Sequence, residues 1–143
     1  MKSDYPTNNE VEIVMAKIER FEDLQSWQKG RQLANQIHEF CEHASFAKDF
    51  RLRSQIEDAA GSVMRNIAEG FDAGSNPEFI RFLKMSRRSA SEVQSELYLA
   101  LDRKHISENE LTIAYSLATE TKRLINGMIA YLRKSPPPKA PPQ

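Results

Sequence analysis

Hydrophobic residues recur along most of this chain at the three- and four-residue spacing of one helix face, most clearly in residues 53–70, RSQIEDAAGSVMRNIAEG. Wound at about 100° per residue, Ile56, Ala60, Val63 and Ile67 form one apolar stripe, while Gln55, Ser62, Asn66 and Glu69 line its flank. Polar groups beside a core usually pair with one another. The flank therefore predicts a hydrogen-bonded ladder that holds helices in register, with a ligand site as the competing reading.

The same spacing predicts three more helices. The first begins at Asp23 and carries Leu24, Trp27, Ala34, Ile37 and Cys41, widened by Leu33 and Phe40. Gly30 and Ala34 lie four apart on it, where small side chains let another backbone come close. A link around residues 44–49 leads into the second helix, which starts between residues 50 and 53 and stops near residues 70–74. Asn76-Pro77-Glu78 reads as the next helix start, with Asn76 as N-cap and Pro77 in the first turn, where its missing N–H is harmless. The third helix buries Phe79, Phe82, Leu83, Ser86, Ala90, Val93, Leu97, Ala100 and Leu101, and it too has a polar flank in Ser89, Glu92 and Glu96. Ser107-Glu108-Asn109-Glu110 is a capping box for the fourth, which carries Leu111, Ala114, Ala118, Ile125, Met128 and Leu132.

Four long amphipathic helices on short links predict an all-α, antiparallel up-down-up-down four-helix bundle over residues 21–134. Residues 1–20 read as a mobile lead-in, with a short strand or extra turn near residues 11–18. Residues 135–143, SPPPKAPPQ, read as a disordered, Pro-rich tail.

Composition narrows the function classes. Lys plus Arg and Asp plus Glu both number 20, so the formal net charge is zero, which counts against a protein whose main ligand is a polyanion. A local basic patch is compatible with that balance: Arg81, Lys84 and Arg88 fall at i, i+3 and i+7 on the third helix, with Arg87 beside them. Arg88 can pair with Glu92 one turn on, and no aromatics interleave, which favours a solvated face. Cys41 is the single cysteine and falls among apolar positions, as a buried hydrophobe in a reducing compartment would. The apolar run at residues 11–18 is short and interrupted by Glu12 and Lys17, so neither a signal peptide nor a membrane span is expected, and the location expected is cytoplasmic.

Catalytic chemistry finds little footing. His38-Glu39-Phe40-Cys41-Glu42-His43 misses the zinc-protease pattern by one residue: the second His would fall at position 42, and His43 is rotated about 100° away. A carboxylate metal site from Glu69, Glu92 and Glu96 lacks the Glu-x-x-His pairs of bundle di-iron centres, since the second and third helices contain no histidine. There is no glycine-rich phosphate loop, nucleophile elbow or convincing Cys–His pair. All three histidines fall at or near helix ends, where a satisfied surface role is the ordinary expectation. The reading is of no enzyme, no cofactor and no metal.

Several motifs carry a resemblance. Phe21-Glu22-Asp23-Leu24 with Trp27-Gln28, the spaced run from Gln55 and Ile56 through Ala59, Ala60, Ser62 and Val63 to Asn66-Ile67-Ala68-Glu69-Gly70, Glu78-Phe79 with Phe82-Leu83, and Ser89, Glu92 and Glu96-Leu97 together resemble the bacterial four-helix-bundle family. This is also called the ribosomal RNA intervening-sequence protein family, after reading frames inside insertions in large-subunit ribosomal RNA genes. The resemblance spans about residues 18–134, and Asn-Ile-Ala-Glu-Gly is its most specific part. It implies a homopentamer without established catalytic activity, and a fold similar to the accessory variability determinant of diversity-generating retroelements, a basic pentamer that binds nucleic acid and a reverse transcriptase. A homo-oligomeric scaffold or adaptor is the first reading. The alternative is a nucleic-acid-binding accessory protein that repeats Arg81, Lys84, Arg87 and Arg88 around a ring.

Overall fold

In the computed structural model, which describes residues 15 and 17–134, Phe21–Asp23 forms one 3-10 turn. It leads into α1 (Gln25–Cys41), the short α2 (Ala44–Lys48), α3 (Phe50–Phe71), α4 (Asn76–Asp102) and α5 (Glu108–Lys134). No strand occurs among the described residues. Residues 1–14, 16 and 135–143, which hold most of the 1–20 lead-in and all of the Pro-rich tail, lie outside them. Met15 and Ile18 are partly buried against the core.

The long helices form a four-cornered bundle in which each packs on its neighbour in sequence and α1 closes on α5. Cross-helix pairs fix the directions. Gly30 meets Val63 while His38 meets Glu57; Ser62 meets Ser89 while Gly70 meets Phe79. Arg87 meets Asn126 while Gln94 meets Tyr115; Ser26 meets Met128 while His43 meets Glu110. At each seam one number rises as the other falls, so all four contacts are antiparallel and the bundle runs up-down-up-down. Leu33, Ile37, Ile56, Val63, Ile67, Leu83, Val93, Leu97 and Ile125 fill its centre with no exposed surface.

Two glycines set the helix spacing at α3. A Cβ on Gly30 would lie 3.3 Å from Val63 Cγ1 and 3.4 Å from Met64 Cβ, so its hydrogen lets α1 seat close to α3. At Gly70 a Cβ would come within 2.8 Å of Phe82 Cβ and 2.9 Å of Phe79 Cδ1. Here α3 leaves its last turn directly beneath the first turns of α4.

Two local expectations are corrected and a third is met. The cap of α4 is Ser75, one residue before Asn76: its extended backbone (φ −144°, ψ 151°) lets Oγ accept the Glu78 N–H at 3.3 Å. Asn76, already helical, instead donates through Nδ2 to the Leu132 carbonyl at 3.3 Å and satisfies a terminal acceptor of α5. The link after α1 holds a helix of its own, α2, because Phe46 is an apolar side chain that must be buried and plugs the end of the core with no exposed surface. The capping box of α5 is present in both directions, Ser107 N–H to Glu110 Oε1 at 3.0 Å and Glu110 N–H to Ser107 Oγ at 3.1 Å.

Candidate functional site

The polar flank of α3 faces that of α4, but it is only partly a ladder. Asn66 Nδ2 donates to both the carbonyl and the Oγ of Ser62, each at 2.9 Å, and Ser89 Oγ donates to Ser62 Oγ at 3.0 Å. One step inward, buried Ser86 donates to the Val63 carbonyl at 2.7 Å. Asn66, Ser62 and Ser89 therefore tie α3 to α4. Gln55, Glu69 and Glu92 are exposed instead and join no hydrogen bond among the described residues, because their positions fall a step farther round each helix than the seam.

Glu96 belongs to neither group. The residue is 8% exposed, and Oε2 is sealed from solvent without a donor. Burial, with the Glu92 and Asp58 carboxylates nearby, pushes its carboxyl up to about 7. Neither of the charges acting on it is positive. A carboxylate held this way awaits a donor or keeps its proton.

The four basic candidates do not form one free patch. Arg81 is held by Glu78, 3.1 Å away, and its guanidinium lies over the Phe82 ring at 4.5 Å; that contact keeps the Glu78 carboxyl below its ordinary range. Arg87 turns toward α5 and donates to Asn126 Oδ1 at 2.7 Å. Lys84 and Arg88 are exposed and unpaired among the described residues, and the anticipated Arg88–Glu92 pair is not formed.

A second polar cluster closes the opposite end of the bundle. Asp49 Oδ1 accepts the Leu52 N–H at the start of α3, while Oδ2 bonds His105 Nε2 and Arg103 Nη1, both at 2.9 Å. His105 Nδ1 is 3.0 Å from Ser45 Oγ, and its ring stacks on Phe46 at 4.9 Å. Its side chain is only 9% exposed, which corrects the surface role expected of it: the α4–α5 turn carries it over the plug formed by Phe46. Hydrogen bonds from His105 and Arg103 lower the Asp49 pKa. Ser45, His105 and Asp49 are linked in the order of a nucleophile, base and acid. Here Asp49 caps α3 and binds Arg103, and Phe46 covers the imidazole face, so Asp49 and His105 each have a structural role. Asp49 before an apolar helix was a legible cap signal; its union with His105, 56 residues on, was not.

The other histidines stay at the surface. His38 is 2.7 Å from Glu57 and 3.6 Å from Glu42, and His43 is 2.6 Å from Glu110. No group of three or more His, Cys, Asp or Glu among the described residues is arranged to hold a metal ion. Cys41 is fully buried, and burial, reinforced by Glu57, pushes its thiol up to about 12, so it stays protonated at neutral pH. No helix among the described residues is long and apolar enough to cross a membrane.

Comparison with known proteins extends this picture. A search of curated proteins finds no match. Among solved structures, a protein of unknown function from the S23 ribosomal protein family of Bacteroides thetaiotaomicron superposes with a TM-score of 0.67 at 24% identity. The match covers 73% of this chain and 97% of that one, and at such identity it speaks for the fold. The sequence pattern of the 23S rRNA-intervening sequence proteins matches residues 22–127. That span runs from the 3-10 turn into the last turns of α5 and takes in the Asn66 network, Gly70 and Glu96. The chain belongs to the 23S rRNA-intervening sequence protein family.

Proposed function

We propose that this protein is a non-enzymatic, homo-oligomeric scaffold or adaptor, assembled as a pentamer in the cytoplasm. One observation carries the reading. The α3–α4 flank holds a buried carboxylate with a sealed, donorless oxygen in Glu96, bordered by exposed Gln55, Glu69 and Glu92 that bond to nothing within the described protomer. Gln55, Glu69 and Glu92 lie open along one flank and spend no side-chain bond within the described protomer, so they are free to meet another chain there, with Glu96 sealed beside them. The resemblance to a pentameric family supplies the subunit number.

Unpaired Lys84 and Arg88 favour one alternative, nucleic-acid binding by a basic patch repeated around the ring. Size exclusion with absorbance at 260 and 280 nm, on protein prepared without a high-salt wash, separates the two. The scaffold reading predicts a large particle with a protein-only absorbance ratio. A nucleic-acid-laden particle stripped by salt would overturn it in favour of the alternative.

A further inference from the structure

A five-membered ring closes head to tail, so the α3–α4 flank of one copy must meet a different face of the next. The directions from a protomer to its two neighbours in such a ring open at about 108°. Adjacent seams of a four-cornered bundle face out roughly at right angles, whereas opposite seams would stack copies in a line. The counterpart of the flank therefore lies on a seam beside it. Of the two, the α1–α3 seam spends its charges at home, where His38, Glu42, Arg53 and Glu57 bond one another. The α4–α5 seam does not. Lys122 Nζ donates to Ser91 Oγ at 3.1 Å and Gln94 Oε1 at 2.8 Å, both neutral, and keeps one N–H to spare. Lys84 and Asp102 are exposed and unpaired among the described residues. Tyr98, 50% exposed and edge-on to Tyr115, adds the aromatic surface that interfaces favour.

We propose that the ring closes by seating the α3–α4 flank of each copy on the α4–α5 seam of the next, with Glu69 on Lys84, Glu92 on Lys122 and Arg51 on Asp102. Angular position puts each residue on its seam. At about 100° per residue, Arg51 and Glu69 lie about 20° from Ser62, and Glu92 about 60° outward from Ser89, the serine that Ser62 meets. Lys84 and Asp102 lie about 60° outward from Arg87, which reaches α5. Height supplies the match. Because Ser62 faces Ser89 and the helices run antiparallel, Glu69 is level with residue 82 and Arg51 with residue 100, while Lys122 is level with Ser91. Rotation about an axis along the bundle keeps every residue at its height. Down the flank the free charges then run minus, minus, plus at Glu69, Glu92 and Arg51; down the seam they run plus, plus, minus at Lys84, Lys122 and Asp102. Each falls within about 3 Å of the height of its opposite. The other flank charges do not disturb this order. Asp58 and Glu78 are already neutralised by Arg65 and Arg81, Arg88 stands on the ridge between the two seams, and Glu96 is sealed within the protomer and takes no part. Such a charge code selects partner and register more than it adds affinity.

This contact rests on the pentamer reading, and its test separates the two. Light scattering is applied to the full chain, to Lys84→Glu/Asp102→Arg, to Glu69→Lys/Arg51→Glu and to the variant combining all four changes, with circular dichroism reporting folding. All four side chains are exposed and unpaired among the described residues, so the protomer loses no bond by their exchange. Reversing one face sets like charges together at every contact, and each two-position variant is expected at one fifth of the wild-type mass. The combined variant restores opposite charges throughout and is expected to regain the wild-type mass, a recovery that general damage to the surface would not give. A fivefold mass that either two-position variant retains, or that the combined variant fails to regain, overturns the contact while leaving the ring standing. A wild type without the fivefold mass overturns the ring, and this contact with it.

Discussion

At the scale of single residues, the Asn-Ile-Ala-Glu-Gly run divides into parts with different physical work. Ile67 is core, Asn66 is the hub that joins Ser62 to α4, and Gly70 makes room for Phe79 and Phe82, whereas Glu69 is exposed and contributes nothing to the protomer. Gly70→Ala should cost about 2 kcal/mol in thermal or denaturant unfolding, because the clash is with the Phe82 Cβ and a packed ring that cannot swing away. Asn66→Ala should cost about 1–2 kcal/mol, by loss of two hydrogen bonds at a site 8% exposed.

Glu96 gives a pH signature. Its carboxyl is raised from 4.5 to about 7 in the fold, so the folded state holds a proton that the unfolded chain releases. Below about 4.5 both states are protonated and the group adds no penalty; stability then falls as pH rises toward 7, and the full penalty persists above that. Glu96→Gln should remove this slope and stabilise the dilute protomer at pH 8 by up to about 3 kcal/mol. A melting temperature unchanged between pH 5 and 8 in the wild type would contradict this account.

At the scale of elements, the periodicity of apolar residues was enough to place four helices and their faces, because each buries one continuous stripe. What it missed were contacts between residues distant in sequence. The plug of Phe46 beneath His105 and the double use of Asp49 arise where two turns meet, and no local spacing encodes that meeting. Cap chemistry was legible to within a residue: Ser107 and Glu110 met the expectation, and Ser75 took the role given to Asn76. The end of α4 carries a cost that the sequence conceals. Lys104 sits at φ 62°, with His105 N–H bonded to the Ala100 carbonyl and Lys104 N–H to the Leu101 carbonyl, both at 2.9 Å. This is the left-handed closure that glycine adopts most easily. Lys104→Gly should raise stability by about 0.5–1 kcal/mol in equilibrium unfolding, since the helix end keeps its bonds and sheds the strain of a side chain there.

At the scale of the whole molecule, the well-filled core contrasts with the α3–α4 flank, where Gln55, Glu69 and Glu92 stay exposed and Glu96 is buried without a donor. Of the candidate residues, the network around Asn66 was legible because those residues flank the core stripe. That Gln55, Glu69 and Glu92 stop short of it, and that Glu96 is buried unpaired, depends on the rotation of α3 against α4. The central claim is that this rotation leaves a surface for further copies of the chain. Native mass spectrometry of the full chain, from dilute neutral solution, tests it directly. The account predicts a dominant species of five chains or a multiple of five, lost before the helical content when the exposed Gln55, Glu69 and Glu92 are replaced by alanine. A wild-type chain that remains a monomer at all concentrations would contradict it.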